Sequence, residues 1–443
     1  MQKLGLDDAL AHGYTVEALV SVASREMPPI PLSAVLPKEE SRPTSDWPTL
    51  SQAALYGLPG DVVATIEPHT EADPVALLIN LLVGFGNVID RNAHATAEQT
   101  RHALVIFAVI VGETSKARKG TSLGWIRDLL SRVDPVWNKT RVMGGLSSGE
   151  GVISVVRDPK EEEEEDPSGP VNDDKRVLVV EEEFGSVLRR SSAPHNTLST
   201  TLRQVWDSGD LRIMNKNSPI QATGAHISIL AHITRPELLR HLNEVEYANG
   251  FGNRFLWILA RRSKVLPHGG GAIQYGDLVP RLRRALEFGS SLKDPINRDR
   301  EASRRWEVVY EELSEGKPGL YGAIIGRAEA YVLRLSALYA VLDLSPVVRV
   351  EHLDAALAVW SYAEASAANI FAQAGVTLSD RILTAIRAAG SEGLSKTQIN
   401  EALGHHTRGT RIDEELRYLE DKGLFTKREE QTKGRPTLMF YAT

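Results

Sequence analysis

The chain has 443 residues, enough for two or three domains, and its 42% hydrophobic and 25% charged side chains are the proportions of an ordinary globular protein. With 51 basic against 58 acidic residues the formal net charge is −7, so any contact with nucleic acid must rest on a local patch or a ring of subunits. There is no cysteine, which excludes disulfides, thiol catalysis and thiolate-bound zinc, and the 12 histidines show no H-E-x-x-H spacing that would suggest a dedicated metal site.

The opening stretch MQKLGLDDALAHGY lacks the apolar core of a secretory signal, and runs such as ALVIFAVIV fall far short of the ~20 residues a membrane helix needs. The expectation is a cytoplasmic protein with no membrane partner. Residues 1–48, with MPPIPLSAVLPKEESRPTSDWP, carry too much proline and charge for regular structure and read as a flexible tether with one short helix ahead of the prolines. From 49 to 100 the pattern is helical: TEADPVALLINLLVGFGNVI opens with Thr70, acids in its first turn and Pro74, all helix-start signals.

Between 101 and 298 four apolar runs, LVIFAVIVG, RVLVVEEEF, HISILAHIT and RFLWILARR, alternate with helical patterns. Unbroken runs of this kind suit strands covered on both faces of a parallel sheet, so the expected fold class is α/β. The like-charge stretch KEEEEEDPSGPVNDDK reads as a disordered, solvated insertion over about 160–175. Residues 299–376 read as helices, and 377–443 as a separate unit. In that unit DRILTAIRAAG, LSKTQINEALG and TRIDEELRYLEDKG give three helices, while LFTKREE and TLMFYAT give a hairpin about TKGRP. Three helices and a hairpin make a winged helix-turn-helix, a DNA-docking shape.

The first apolar run leads into GETSKARKGTS, residues 112–122, and then into a helix whose Ile126, Leu129, Leu130 and Val133 have helical spacing. Strand, small-residue loop and helix is the layout in which backbone N–H groups and a helix N-terminus converge on phosphate. Gly112 closes the strand; Thr114, Ser115, Ala117 and Gly120 keep the loop small; Lys116, Arg118 and Lys119 offer cations; Thr121 and Ser122 offer hydroxyls for Mg²⁺. The usual G-x-x-x-x-G-K-[ST] order is absent, and a basic helix-capping loop is the alternative reading.

Glu181, Glu182 and Glu183 end the second run. Acids at the end of a buried strand are costly unless they hold a cation or polarise water. Nucleotide hydrolases use one for Mg²⁺-bound water and often a second as general base, with Glu182 the metal candidate here. Strand alternation keeps all three from facing one site. In HISILAHIT, His232 and Thr234 either sit beside a γ-phosphate or simply cap the strand. In NGFGNRFLW, Asn249, Asn253 and Arg254 lie in a glycine-rich loop, and the arginine either reaches a phosphate in its own or a neighbouring subunit or forms a structural ion pair. GLSSGEG has no lysine after it, and the capping-box spacing of Ser147 and Glu150 makes it a helix start. In the last unit Arg408 and Arg411 near the third helix's start would enter the major groove, and Lys427, Arg428, Lys433 and Arg435 on the wing would contact phosphates. Acids nearly balance bases there, so docking onto protein is the alternative.

Taken in order, TEADPVALL, GETSKARKGTS, GLSSGEG, EEEF, LSTTLRQVWDSGDL, HISILAHIT, NGFGNRFLW and GRAEAYVLRLSALYAVLD, spanning roughly 50–370, resemble one family. It is the RecA-like P-loop ATPase family that forms the helicase half of primase–helicase proteins in phages, plasmids and integrated elements. The resemblance implies a RecA-like P-loop NTPase core over 101–298 with helical flanks. It also implies ATP and Mg²⁺ as cofactors, a homo-oligomeric, hexameric ring with ATP sites between subunits, and single-stranded DNA in its channel. Within the family R-K-G-T-S is a variant spelling of the phosphate loop. Lys119 is then the first choice on the phosphates, Thr121 or Ser122 on Mg²⁺, and Arg254 as arginine finger, with Arg203 and Arg327 behind it. Unlike in fuller members, residues 1–48 are too few and too proline-rich to hold a primase domain ahead of the ATPase region, so if priming is needed the expectation is that a separate primase supplies it. The implied function is an ATP-dependent DNA helicase or translocase in replication of a mobile element. An ATP-regulated DNA-binding initiator or regulator without unwinding, or a degenerate ATPase kept as a scaffold, are the alternatives.

Overall fold

The computed structural model describes residues 47–159, 174–214, 220–242, 249–317, 319–371, 378–403, 409–430 and 436–442. The expected tether and acidic insertion lie outside these residues but for their last two positions each. The described residues form two compact units, one within 45–375 and one within 376–443.

In the first unit, α1 (Gly57–Ile66) leads to α2 (Pro74–Val88). Pro74 sits in the first turn, where no N–H is needed, and the cap is Asp73 rather than Thr70, accepting from Val75 N at 3.2 Å. Every residue from Val75 to Val88 is buried, which explains why this helix is apolar all round. A hairpin, β1 (His94–Ala97) and β2 (Thr100–Ala103), follows where the sequence reads as helix. Next come β3 (Phe107–Gly112), α3 (Lys119–Val133), α4 (Pro135–Thr140), β4 (Val142–Met143) and α5 (Gly149–Val156). After them run β5 (Arg176–Glu181), α6 (Phe184–Ser191), α7 (Leu198–Asp207), the hairpin β6 (Leu211–Ile213) and β7 (Ile220–Ala222), β8 (His226–Thr234), α8 (Arg235–His241) and β9 (Leu256–Leu259). The remainder is mainly helical: α9 (Leu278–Ser291), β10 (Asn297–Arg298), α10 (Arg300–Ser314), α11 (Gly319–Ile325), α12 (Ala328–Leu342), β11 (Val347–Val348) and α13 (Val350–Phe371).

Five of these strands form a central parallel sheet in the order β4-β5-β8-β3-β9, so the chain is a mixed α/β protein. The four apolar runs are four of its strands; two-residue β4 is too short to leave a pattern. All six residues of β3 are buried, as a strand covered on both faces requires. The ladder sets Gly112 against Thr234, Val111 against Leu259 and Glu181 against Ala231, so these strand ends share one carboxyl edge. β5 is not the neighbour of β3: β8 lies between them, which separates the two by roughly 10 Å.

Asn87, in the last turn of α2, ties the layers together. Its Nδ2 donates to Val177 O at 3.0 Å and His226 O at 2.9 Å, and its Oδ1 accepts from Trp137 Nε1 at 2.9 Å. His226 Nε2 meets Gly86 O at 2.8 Å, so the β8 face bearing His226 is the one that α2 covers.

The second unit runs α14 (Leu378–Ala389), β12 (Leu394–Ser395), α15 (Lys396–Ala402), α16 (Gly409–Asp421), β13 (Phe425–Glu430) and β14 (Thr437–Ala442). Its antiparallel sheet has the order β12-β14-β13, and Ile382, Ile386, Ile399, Ile412, Phe425 and Phe440 lie in a separate core. Ser395 and Gln398 make a complete capping box at α15. Among the described residues no helix is long and apolar enough to cross a membrane.

Candidate functional site

The loop after β3 wraps over Gly112. Thr114 caps a short 3-10 turn, Ser115–Ala117, by accepting from Lys116 N at 3.2 Å. Arg118 then takes the left-handed conformation, φ +57° and ψ +28°, and α3 begins at Lys119. Lys119 folds back: its Nζ donates to Thr114 O at 3.3 Å, and a Cβ on Gly112 would lie 2.9 Å from that nitrogen. Glycine at 112 is therefore a requirement of close approach. Burial lowers the Lys119 pKa, opposed by the charge of Glu237.

The two hydroxyls differ. Ser122 is buried, donating to Lys119 O at 2.7 Å and accepting from Asn80 Nδ2 at 3.0 Å. Thr121, like Gly120 and Lys116, is exposed. Arg118 points away to Glu71, with Nε 2.7 Å from Oε2.

The three glutamates also separate. Glu181 is buried, and its Oε1 accepts from Gly145 N and Leu146 N, both at 2.6 Å, anchoring the loop after β4. Glu182 and Glu183 are exposed. One step past the ladder, Glu182 comes level with His232. His232 has the parity of His226 and so shares the face covered by α2, which also packs on α3. It is buried, its Nε2 has no hydrogen-bond partner among the described residues, and its pKa is pushed down to about 4 by burial and then by the Lys119 charge. It is a neutral imidazole at neutral pH. Glu237 on α8 packs over Gly185 at the start of α6.

Arg254 lies at the other end of the sheet, just before β9. It pairs with Asp207 at 2.6 Å and donates to Gly250 O at 2.6 Å. Arg327 joins the same group, 3.6 Å from Asp207 and 3.1 Å from Asn253 Oδ1, and Arg203 donates to Asn249 O at 2.9 Å. The Trp206 ring lies 4.8 Å from the Arg327 guanidinium and 3.6 Å from that of buried Arg334. In GLSSGEG the cap is Ser148, accepting from Gly151 N at 3.1 Å, and Glu150 meets Thr197 Oγ1 instead of closing a box with Ser147.

The structure thus gathers Lys119, Thr121, His232 and Glu182 at the carboxyl edge, with Arg254, Arg203 and Arg327 at the amino edge. A loop ammonium, a helix N-terminus and a neutral imidazole can take an anion, and the exposed hydroxyl and carboxylate can take a cation. Glu71, Arg262, Asn80 and Glu237 support this edge, although none of them stands out in the sequence as a site residue. In the second unit Arg411 is exposed on α16, Lys427 pairs with Glu420 at 2.6 Å, and Arg428 lies 5.5 Å from the Tyr441 ring. Arg408, Lys433 and Arg435 lie outside the described residues. No family model and no curated protein matches the chain.

Proposed function

We propose that the chain is an ATP- and Mg²⁺-dependent DNA helicase or translocase with a RecA-like P-loop core, serving replication of a mobile element. The observation that carries this reading is Lys119: its ammonium folds over a glycine with no room for a side chain, at a helix N-terminus and a parallel sheet's carboxyl edge. In this reading Lys119 and the first N–H groups of α3 grip the phosphates, Thr121 and Glu182 hold the cation, and Glu182 or Glu183 serves as base. The orphaned buried Nε2 of His232 fits a γ-phosphate oxygen. Ser122 and Glu181, already hydrogen-bonded, support the loops instead. Bound Mg²⁺ would supply charge neutralisation along the triphosphate.

The edge occupied by Arg254 supports sites between copies of the chain. One chain's arginine lies a full strand length from its own phosphate loop, so as a finger it acts on a neighbour, in a hexameric ring threaded by single-stranded DNA. Three helices and a hairpin in the second unit support a winged helix-turn-helix, with Arg411, Lys427 and Arg428 toward duplex DNA.

The test is ATP hydrolysis with and without single-stranded DNA, plus strand separation on a forked duplex, for the unaltered chain and Lys119→Ala. The expected result is DNA-stimulated hydrolysis and unwinding, both lost in the variant while its thermal unfolding is unchanged. Hydrolysis retained by the variant would reject the Lys119 assignment. Nucleotide binding without unwinding would favour an ATP-regulated initiator, and no nucleotide binding in calorimetry a scaffold.

A further inference from the structure

We infer that Glu71 is a positioning residue for the phosphate loop, pinning the left-handed Arg118, and through it Lys119, to the segment that leaves β9. The inference rests on the nucleotide reading of residues 112–122 and deepens it.

Arg118 is where α3 begins: its carbonyl accepts the first bond from Ser122 N at 3.3 Å. At φ +57° a side chain crowds its own backbone, and glycine is the residue that adopts this conformation freely. What arginine gains there is the ion pair with Glu71, Nε to Oε2 at 2.7 Å.

Glu71 is no loose surface carboxylate. Its other oxygen accepts from Leu266 N at 2.7 Å and from the Arg262 guanidinium, and its backbone carbonyl accepts from Ser263 N at 3.0 Å. The next two residues repeat the pattern: Ser263 Oγ donates to Ala72 O at 2.8 Å, and Arg261 N to Asp73 Oδ2 at 3.0 Å. Residues 71–73 and 261–266 are thereby zipped together, side chain to backbone. The Glu71 carboxyl is held down to about 2, first by the Arg262 hydrogen bond and then by that of Leu266, so it stays charged.

The result is a bracket running from the end of β9 through Glu71 to Arg118. Lys119 is the next residue, and any turn of the backbone at Arg118 swings its ammonium off Gly112. Glu71 itself touches no phosphate. Its effect is to keep Lys119 aimed.

Four forms of the full chain are titrated with a fluorescent ATP analogue: unaltered, Glu71→Gln, Arg118→Gly and the double variant, with thermal unfolding recorded for each. Glu71→Gln should weaken affinity about tenfold, the factor corresponding to one strained residue released from its pin, and should raise KM for ATP more than it lowers kcat. In the Arg118→Gly background the same change should alter affinity by less than about twofold, because glycine holds the conformation unaided. Glu71→Asp, which keeps the charge and a near-native fold, should give an intermediate loss with arginine at 118 and none with glycine. Equal losses in both backgrounds would overturn the inference, since Glu71 would then act by another route. So would a Glu71→Gln chain that binds as the unaltered one does. Loss of all binding in Arg118→Gly would also overturn it, by giving the arginine a direct grip on phosphate. An unaltered chain with no nucleotide affinity removes the nucleotide reading itself and this inference with it.

Discussion

A methyl group added at Gly112 should disturb nucleotide handling far more than it disturbs folding. On the existing backbone an alanine Cβ would stand 2.7 Å from Ala117 Cβ, 2.9 Å from Lys119 Nζ and 3.1 Å from Thr114 O. Carbon pairs rest at about 3.5–4.0 Å, so the loop must retreat by roughly 1 Å. Lys119 can swing its free end aside, but Ala117 and the Thr114 carbonyl belong to the 3-10 turn and move only with it. Overpacking a core costs about 1–3 kcal/mol, and a loop with Thr114 and Lys116 exposed should fall at the low end. One kcal/mol corresponds to a drop in Tm of about 2–4 °C or less in a unit of this size. A reacting group misplaced by about 1 Å, in contrast, costs on the order of a hundredfold in rate. The assay pairs thermal unfolding with steady-state ATP hydrolysis for Gly112→Ala. The expectation is a Tm lower by a few degrees and kcat/KM for ATP lower by about a hundredfold. A lowered Tm with unaltered kcat/KM would refute the loop as the nucleotide grip, and an unaltered Tm would refute the close approach itself.

Other consequences are equally measurable. Burial holds His102, His226 and His232 down to about 4 from an unfolded value of 6.5, aided by the charge of Arg334 at His102 and of Lys119 at His232. Between those values the unfolded chain binds more protons, so stability is fully present above pH 6.5 and falls on acidification by up to about 1.4 kcal/mol per pH unit and group. Urea melts of His232→Asn across that range should show a shallower dependence, and an identical slope would contradict a neutral His232. Asn87→Ala leaves Trp137 Nε1 unpaired in the core and takes a second donor from Val177 O and His226 O, whose ladder bonds remain, a loss of about 1–3 kcal/mol in urea melts. A loss well under that would mean that water enters and replaces the amide. Lys119→Ala mixed with Arg254→Ala should regain activity at about a quarter of the interfaces, those pairing an intact loop with an intact arginine. No recovery in mixtures would confine Arg254 to its ion pair with Asp207. Duplex binding should weaken with salt, and alanine at Lys427, Arg428, Lys433 and Arg435 should reduce the log–log slope by about 0.9 for each phosphate that is no longer neutralised. An unchanged slope would point to protein docking instead.

Which of these features a reader of the sequence could find depends on the range of the contacts that make them. The strands β3, β5, β8 and β9 are legible because both faces are covered, leaving unbroken apolar runs; β1 and β2, short and half polar, are not. Lys119 and His232 are legible because strand, loop and helix are written consecutively. Glu71 is not, being 47 residues from Arg118 and 191 from Arg262, and an acid just ahead of a helix looks locally like a dipole partner. Alternation tells that Glu181, Glu182 and Glu183 diverge, yet only the N–H groups of Gly145 and Leu146 decide that Glu181 turns inward.

Arg254 carries a constraint that chain order already implied. GETSKARKGTS follows its strand, whereas NGFGNRFLW precedes one. In a parallel sheet the loops before and after strands go to opposite edges, and ligands gather at the carboxyl ends. The two motifs therefore never share a site within one chain, however close their strands, and β3 and β9 are direct neighbours. Asp207, half-exposed and paired with both Arg254 and Arg327, holds the arginines at that amino edge. On the proposed reading, the topology that gathers Lys119, His232 and Glu182 at one end leaves Arg254 to reach a nucleotide held at the Lys119 loop only from a second copy of the chain.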